Sequence, residues 1–270
     1  MSTIGTTFFD IGYMDRLSRL DTPLHRLDPR AKLLTTLAFI VTVVSFGRYE
    51  ISALIPFCVY PVVLVTVGNL PAEYLLRKIV IVAPFVVLIG VFNPLMDREA
   101  LIALGPLEIS GGWISFLSIL IRIVLTVGSA LVLVACTGIY GVCLSLERLG
   151  MPRVLTAQLL FLYRYLFVLM DEGLRMVRAR ALRSFGRSGM GMRVYGHMVG
   201  HLLLRTLDRA QRIYVAMSCR GFDGHVRRMR PLIMRPIDVM FIVGWSALFV
   251  AMRVHNIPRL MGKLVMEAFS

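Results

Sequence analysis

Acidic side chains are scarce in this sequence: 16 Asp and Glu stand against 30 Lys and Arg in 270 residues, a formal net charge of +14. Charge of either sign is thin as well, at 17% of residues, where soluble domains carry about 25%. Lysine occurs only at Lys32, Lys78 and Lys263, so 27 of the 30 basic residues are arginine. Four scattered cysteines, Cys58, Cys136, Cys143 and Cys219, exclude a disulfide scaffold, and buried apolar packing is the default for each. The first 32 residues lack an apolar stretch of useful length and hold Asp10, Asp15, Asp21 and Asp28, which argues against a signal peptide. Against these shortages, 57% of residues are hydrophobic and the mean hydropathy is +0.74. Disorder and a soluble domain are excluded, and a polytopic, all-α membrane protein remains.

Four apolar stretches come first: Leu33–Phe46, Ile51–Gly68, Ile79–Leu95 and Trp113–Ile139. A span needs about 20 apolar residues, so the first three must borrow from their flanks. Val154–Met170 follows, carrying Gln158 and Arg164, and the last candidate is Ile237–Met252. Basic residues in the connections set the orientation. The arm Met1–Lys32 holds five and the block Asp171–Pro236 holds 14, which places both in the cytoplasm. Sharing a side requires an even number of spans between them. Val154–Met170 is the weakest of the five candidates, because a mid-helix arginine costs about 2.5–3.5 kcal/mol on insertion. It also follows Gly150-Met151-Pro152-Arg153, a helix stop and restart. The expected organisation is therefore about five spans: arm 1–32, four transmembrane helices in 33–139, a cytoplasmic module 140–236, a final span 237–252 and an external tail 253–270. Arg122, inside the fourth stretch, is expected to snorkel to the outer boundary.

Near the amino terminus stands Leu24-His-Arg-Leu-Asp-Pro-Arg-Ala-Lys-Leu-Leu34. Asp28-Pro29 reads as N-cap and first helical residue, with Arg30 and Lys32 at the cytoplasmic mouth of the first span. The basic block holds two further segments. Asp171–Gly186 includes Ala179-Arg180-Ala181, and His201–Gly224 includes Ala216-Met-Ser-Cys-Arg-Gly-Phe222. In the second, Leu203, Leu207, Ala210, Tyr214 and Met217 fall on one helical stripe, with Arg205, Arg209 and Arg212 on another face. Both segments read as amphipathic helices finishing with an arginine beside a small residue. A cation in a last turn complements the helix dipole even with no partner.

The layout, with these three motifs, resembles the transmembrane T component of energy-coupling-factor transporters, and within that family the cobalt branch, CbiQ. The resemblance runs from about Leu20 to Met252. It implies two cytoplasmic coupling helices, each ending in an Ala-Arg-Gly-like motif whose arginine docks on an ATPase subunit. The positions matching those motifs are Ala179, Arg180 and Ala181, and Ser218, Cys219, Arg220 and Gly221. Ala181 replaces a glycine of the first motif, and Cys219 an alanine of the second. The resemblance also implies a separate substrate-binding S component in the membrane, a prokaryotic inner-membrane location, and Co2+ as the transported ion, with Ni2+ or a vitamin as the alternative.

No nucleotide site is expected in the chain itself: Gly262-Lys263 is the only Gly-Lys pair, and Ile257 stands where a P-loop requires glycine. Nothing suggests catalysis, and no cofactor is implied. His197 and His201 have the i, i+4 spacing of two-His metal coordination, but no third ligand stands nearby, so a metal site is not expected. A reading of another class uses the same basic block as a membrane-tethered binder of lipid headgroups or nucleic acid. On the T-component reading no nucleic acid is bound.

Overall fold

Asp28 begins the first long helix as the sequence predicts. Its carboxylate accepts a hydrogen bond from the Arg30 amide at 2.9 Å, and Pro29, which has no amide to satisfy, occupies the first turn. The computed structural model describes residues 12–47, 51–91, 100–104, 107–183, 191–224 and 234–254. A short helix, α1 (12–17), precedes α2 (Pro29–Val44), α3 (Ile51–Val67, with a 3-10 turn at Ile55–Cys58) and α4 (Ala72–Gly90). After an antiparallel hairpin come α5 (Gly111–Arg148), α6 (Arg153–Arg183), α7 (Met192–Cys219) and α8 (Pro236–Val254).

The hairpin, β1 (Ala100–Leu104) with β2 (Leu107–Ser110), holds the only strands among the described residues. Gly105-Pro106, between its strands, was the available turn signal. The positions of the expected Gly262-Lys263 pair, most of the tail 253–270, the first 11 residues of the arm and Ser184–Gly186 lie outside the described residues.

The chain divides into two compact units: Tyr13–Val142 with Leu232–Ser270, here the bundle unit, and Met1–Gly12 with Cys143–Pro231, here the arginine-rich unit. In the bundle unit α8 packs on α2, and the core is aromatic. Phe39 stacks on Tyr60 at 4.6 Å, and Trp245 and Phe249 of α8 meet Tyr60 edge-on at 4.9 and 5.2 Å. Two threonines of α2 satisfy their hydroxyls within the helix, as a bilayer favours. Thr35 and Thr36 donate to the carbonyls of Ala31 and Lys32 one turn back, and Thr36 also meets the Tyr60 hydroxyl at 2.9 Å. Val41, Val62, Val80 and Leu88 are exposed on the bundle's surface, which suits lipid rather than water.

The far end of α2 is closed by two arginines. Arg122 of α5 donates to the Gly47 carbonyl at 3.0 Å, and Arg253 of α8 donates to that of Ser45 at 3.3 Å while covering the Phe46 ring. Cations at a helix C-terminus contribute about 0.3–1 kcal/mol each. Arg122, expected from the sequence to snorkel, donates here to a backbone carbonyl of the segment that follows α2.

Among the described residues three helices are long and apolar enough to cross a membrane: α5, α6 and α8. The stop and restart at Gly150-Met151-Pro152 stands between α5 and α6, and Val154–Met170 is part of α6, continuous with the first arginine-rich segment.

Candidate functional site

The arginine-rich unit presents α6 and α7 side by side. The apolar stripe on α7 serves their contact: Leu207, Ala210, Tyr214 and Met217 face Ala157, Phe161 and Tyr165 of α6 across an apolar groove of about 640 Å³. No residue of α7 is fully buried, and Tyr214 is 71% exposed, so the stripe is only half covered. On the flank, Arg205 of α7 donates to the Glu172 carboxylate of α6 at 2.6 Å. Arg209 and Arg212 lie beside that pair. This bridge joins residues 33 apart, and no local pattern in the sequence signals it.

The two expected motifs end their helices differently. Arg220 is the C-cap of α7, and Gly221 follows at φ +73°, a left-handed conformation that glycine adopts without a Cβ clash. The Gly221 amide donates to the Ser218 carbonyl at 3.0 Å and the Phe222 amide to that of Met217 at 3.1 Å. These two bonds make a Schellman cap, and they fix where the chain turns after Arg220. Ser218, Cys219, Arg220 and Gly221 are all exposed. Ser218 donates back to the Tyr214 carbonyl at 3.0 Å.

At the first motif the alanine in place of glycine has a visible consequence. Ala181 keeps helical geometry, and α6 runs on to Arg183. Arg180 lies in its last turn, half-buried, between the exposed Ala179 and Ala181. The structure therefore places one arginine at a capped turn and the other on the flank of a continuing helix. Each stands near a helix C-terminus, where a guanidinium complements the dipole and can offer a planar fork to a carboxylate.

Sequence reasoning missed the side chain that ties the second motif down. Phe222 folds back so that its ring meets Phe161 of α6 edge-on, at 5.9 Å between centroids. The cap rule places an apolar residue at this position but directs it to its own helix, so its partner on α6 had no local signal. His197 and His201 both lie exposed on α7, and among the described residues no three His, Cys, Asp or Glu side chains are grouped to hold a metal ion.

Long apolar helices and a separate arginine-rich helix pair define the class: a multi-pass membrane protein carrying an arginine-rich helical unit. Comparison with known proteins makes the family explicit. Residues 21–232 match the cobalt transport protein family CbiQ, and the chain belongs to it. It is 27% identical to the energy-coupling factor transporter transmembrane protein EcfT of Heliobacterium modesticaldum, over 86% of this chain and 92% of the relative. It is 26% identical to EcfT of Thermosediminibacter oceani, over 84% and 91%. A shorter match, 36% identical over 29% of this chain and 36% of the relative, is to the cobalt transport protein CbiQ of Salmonella typhimurium. The chain is thus a transport component of the EcfT/CbiQ kind.

Proposed function

We propose that this chain is the transmembrane coupling subunit of an energy-coupling-factor transporter, passing ATP-driven closure of two partner ATPase subunits to a substrate-binding S component. The observation that carries this reading is the pairing of α6 and α7. Two stiff helices, cross-linked by Glu172–Arg205 and Phe161–Phe222, each present an arginine near their C-terminal ends. Arg180 and Arg220 would each dock on one ATPase subunit, with Ala179, Ala181, Ser218, Cys219 and Gly221 shaping the contact. A guanidinium fork holds a fixed geometry against a carboxylate, where a lysine is a flexible point charge. ATP hydrolysis belongs to the partner. Co2+ is the substrate favoured by the family's description and by the relatives named for cobalt transport.

In this reading the bundle unit carries five spans with both the arm and the arginine-rich unit cytoplasmic. The helix α6 lies along the inner face, consistent with Gln158, Arg164, Asp171 and Glu172 along its length. Only Thr156, Ala157 and Leu160 of that helix are buried.

The test is co-expression of the chain with a pair of ATPase subunits and an S component, in cells without cobalt uptake of their own. Uptake of radioactive Co2+ that needs this chain, and purification of the chain with the ATPases, is the expected result. Uptake selective for Ni2+ or a vitamin would move the substrate and keep the role. A chain that purifies alone and is retained on anionic vesicles or DNA, with a steep salt dependence, would overturn it.

A further inference from the structure

The motif that starts α2 does more than cap a helix. In the last third of α5, Gly138 departs from helical geometry at φ +70° and ψ 155°, which interrupts the i→i−4 ladder there. The Cys136 carbonyl beside that break accepts a hydrogen bond from Lys32 Nζ at 3.1 Å, in a buried setting. Lys32 is 5% exposed, so its ammonium depends on such partners. A Cβ at Gly138 would come within 2.9 Å of Ser18 Oγ, and Gly141 lies against Pro29. The start of α2 is therefore fitted to the broken segment of α5.

The same motif also holds the start of α8. The Asp28 amide donates to Asp238 Oδ1 at 2.8 Å, and Asp238 Oδ2 accepts the Arg235 amide at 2.7 Å. Asp238 is 1% exposed. The chain leaves the bundle unit after Val142, four residues past the break, and re-enters it ahead of α8. Asp28 and Lys32 thus join the exit segment and the re-entry segment to a single helix start.

We infer that Lys32 is a positioning residue for transport: by holding the Gly138 break of α5 to the start of α2, together with Asp28–Asp238, it makes the bundle respond as one body to motion delivered along α5 and α8. This rests on the coupling role proposed above. With the knot intact, displacement at either crossing is carried to α2. With it loosened, ATPase closure is spent in the broken helix and the substrate is not moved.

The experiment uses the assembled complex in vesicles and reads Co2+ transported per ATP hydrolysed, beside the amount of complex. Lys32→Met keeps the apolar stem and removes the donor. It should leave assembly and ATP hydrolysis near wild type while the transport ratio falls about tenfold, within the usual range of coupling between sites. Gly138→Ala should give the same split, and the double variant should be no worse than either, because both disturb one device. Should Lys32→Met fail to accumulate, Asp238→Asn tests the other arm of the knot by the same ratio. A ratio that stays at the wild-type value would overturn the inference. So would uptake and hydrolysis falling only in proportion to the amount of complex in both Lys32→Met and Asp238→Asn, which is the mark of a purely structural role. Absence of both activities in the wild-type complex would instead refute the coupling role, and this inference with it.

Discussion

Phe222, three residues beyond Cys219 at the end of α7, meets Phe161 of α6 edge-on with ring centroids 5.9 Å apart. The second arginine motif is therefore not a free helix end. Its turn is pinned to the helix that carries the first motif. Such a pair contributes about 0.5–1.5 kcal/mol beyond its buried area. Phe161→Ala and Phe222→Ala should each weaken retention of the ATPase subunits. The double variant should lose less than the sum of the two by about that coupling. A double-variant cycle on partner affinity measures it, and strict additivity would show that the contact does not act as a unit.

The turn itself gives a graded prediction. Gly221 sits at φ +73°, where a side chain costs about 1–2 kcal/mol. Nothing stands within 4 Å of a Cβ there, so conformation alone sets the cost. Gly221→Asn should be milder than Gly221→Ala, since asparagine visits this region, and Gly221→Val should be worse than both. Melting of the purified chain, followed by circular dichroism, checks the order.

Much of this was legible in the sequence for physical reasons that are local. Asp28-Pro29 announces a helix start, Gly150-Met-Pro152 a stop, and the Leu203 to Met217 stripe an amphipathic helix, because each depends on residues within a turn or two of one another. What stayed hidden is what long-range packing decides. Lys32 looked like a cation at a helix mouth; its partner is a carbonyl 104 residues away, exposed by a break that a lone Gly138 in an apolar run does not announce. Glu172–Arg205 and Asp28–Asp238 join separated segments in the same way. At the candidate site, the glycine of the second motif was readable as a C-terminal cap. The continuation of α6 through Ala181 follows from the same rule in reverse: with no glycine, the helix has no reason to stop.

The arm carries a pH-sensitive group. Burial pushes the His25 imidazole below its ordinary pKa, and the nearby Lys32 ammonium adds to this; Thr22 Oγ1 meets its Nδ1 at 2.7 Å. A folded value lower than the unfolded one means the unfolded chain binds the proton more readily. The stability this represents is present above about pH 6.5 and is lost as pH falls through that value toward the depressed one. Melting temperature in detergent should therefore drop between pH 7.5 and 5.5, and His25→Gln should flatten that part of the profile. An unchanged slope in the variant would assign the acid sensitivity to other groups.

Topology is open to direct labelling. With five spans and α6 along the inner face, Ser188→Cys should react only from the cytoplasmic side and Ser270→Cys only from outside, in a background where the native cysteines are replaced. Ser188→Cys reacting only from outside and Ser270→Cys only from the cytoplasm would mean that α6 crosses the bilayer, and reaction of both from one side would mean that α8 does not.

The coupling role is tested most directly by comparing arginines. Arg220→Ala should reduce co-purification of the ATPase subunits and abolish Co2+ uptake, while the chain still reaches the membrane, because stranding a buried partner charge costs about 3–5 kcal/mol. Arg180→Ala should act in the same direction. Arg227→Ala and Arg228→Ala, which lie outside both motifs and outside the described residues, should change little by comparison. Equal weakening by all four substitutions would contradict the account, since it would make the unit a diffuse basic patch with no specific docking arginines.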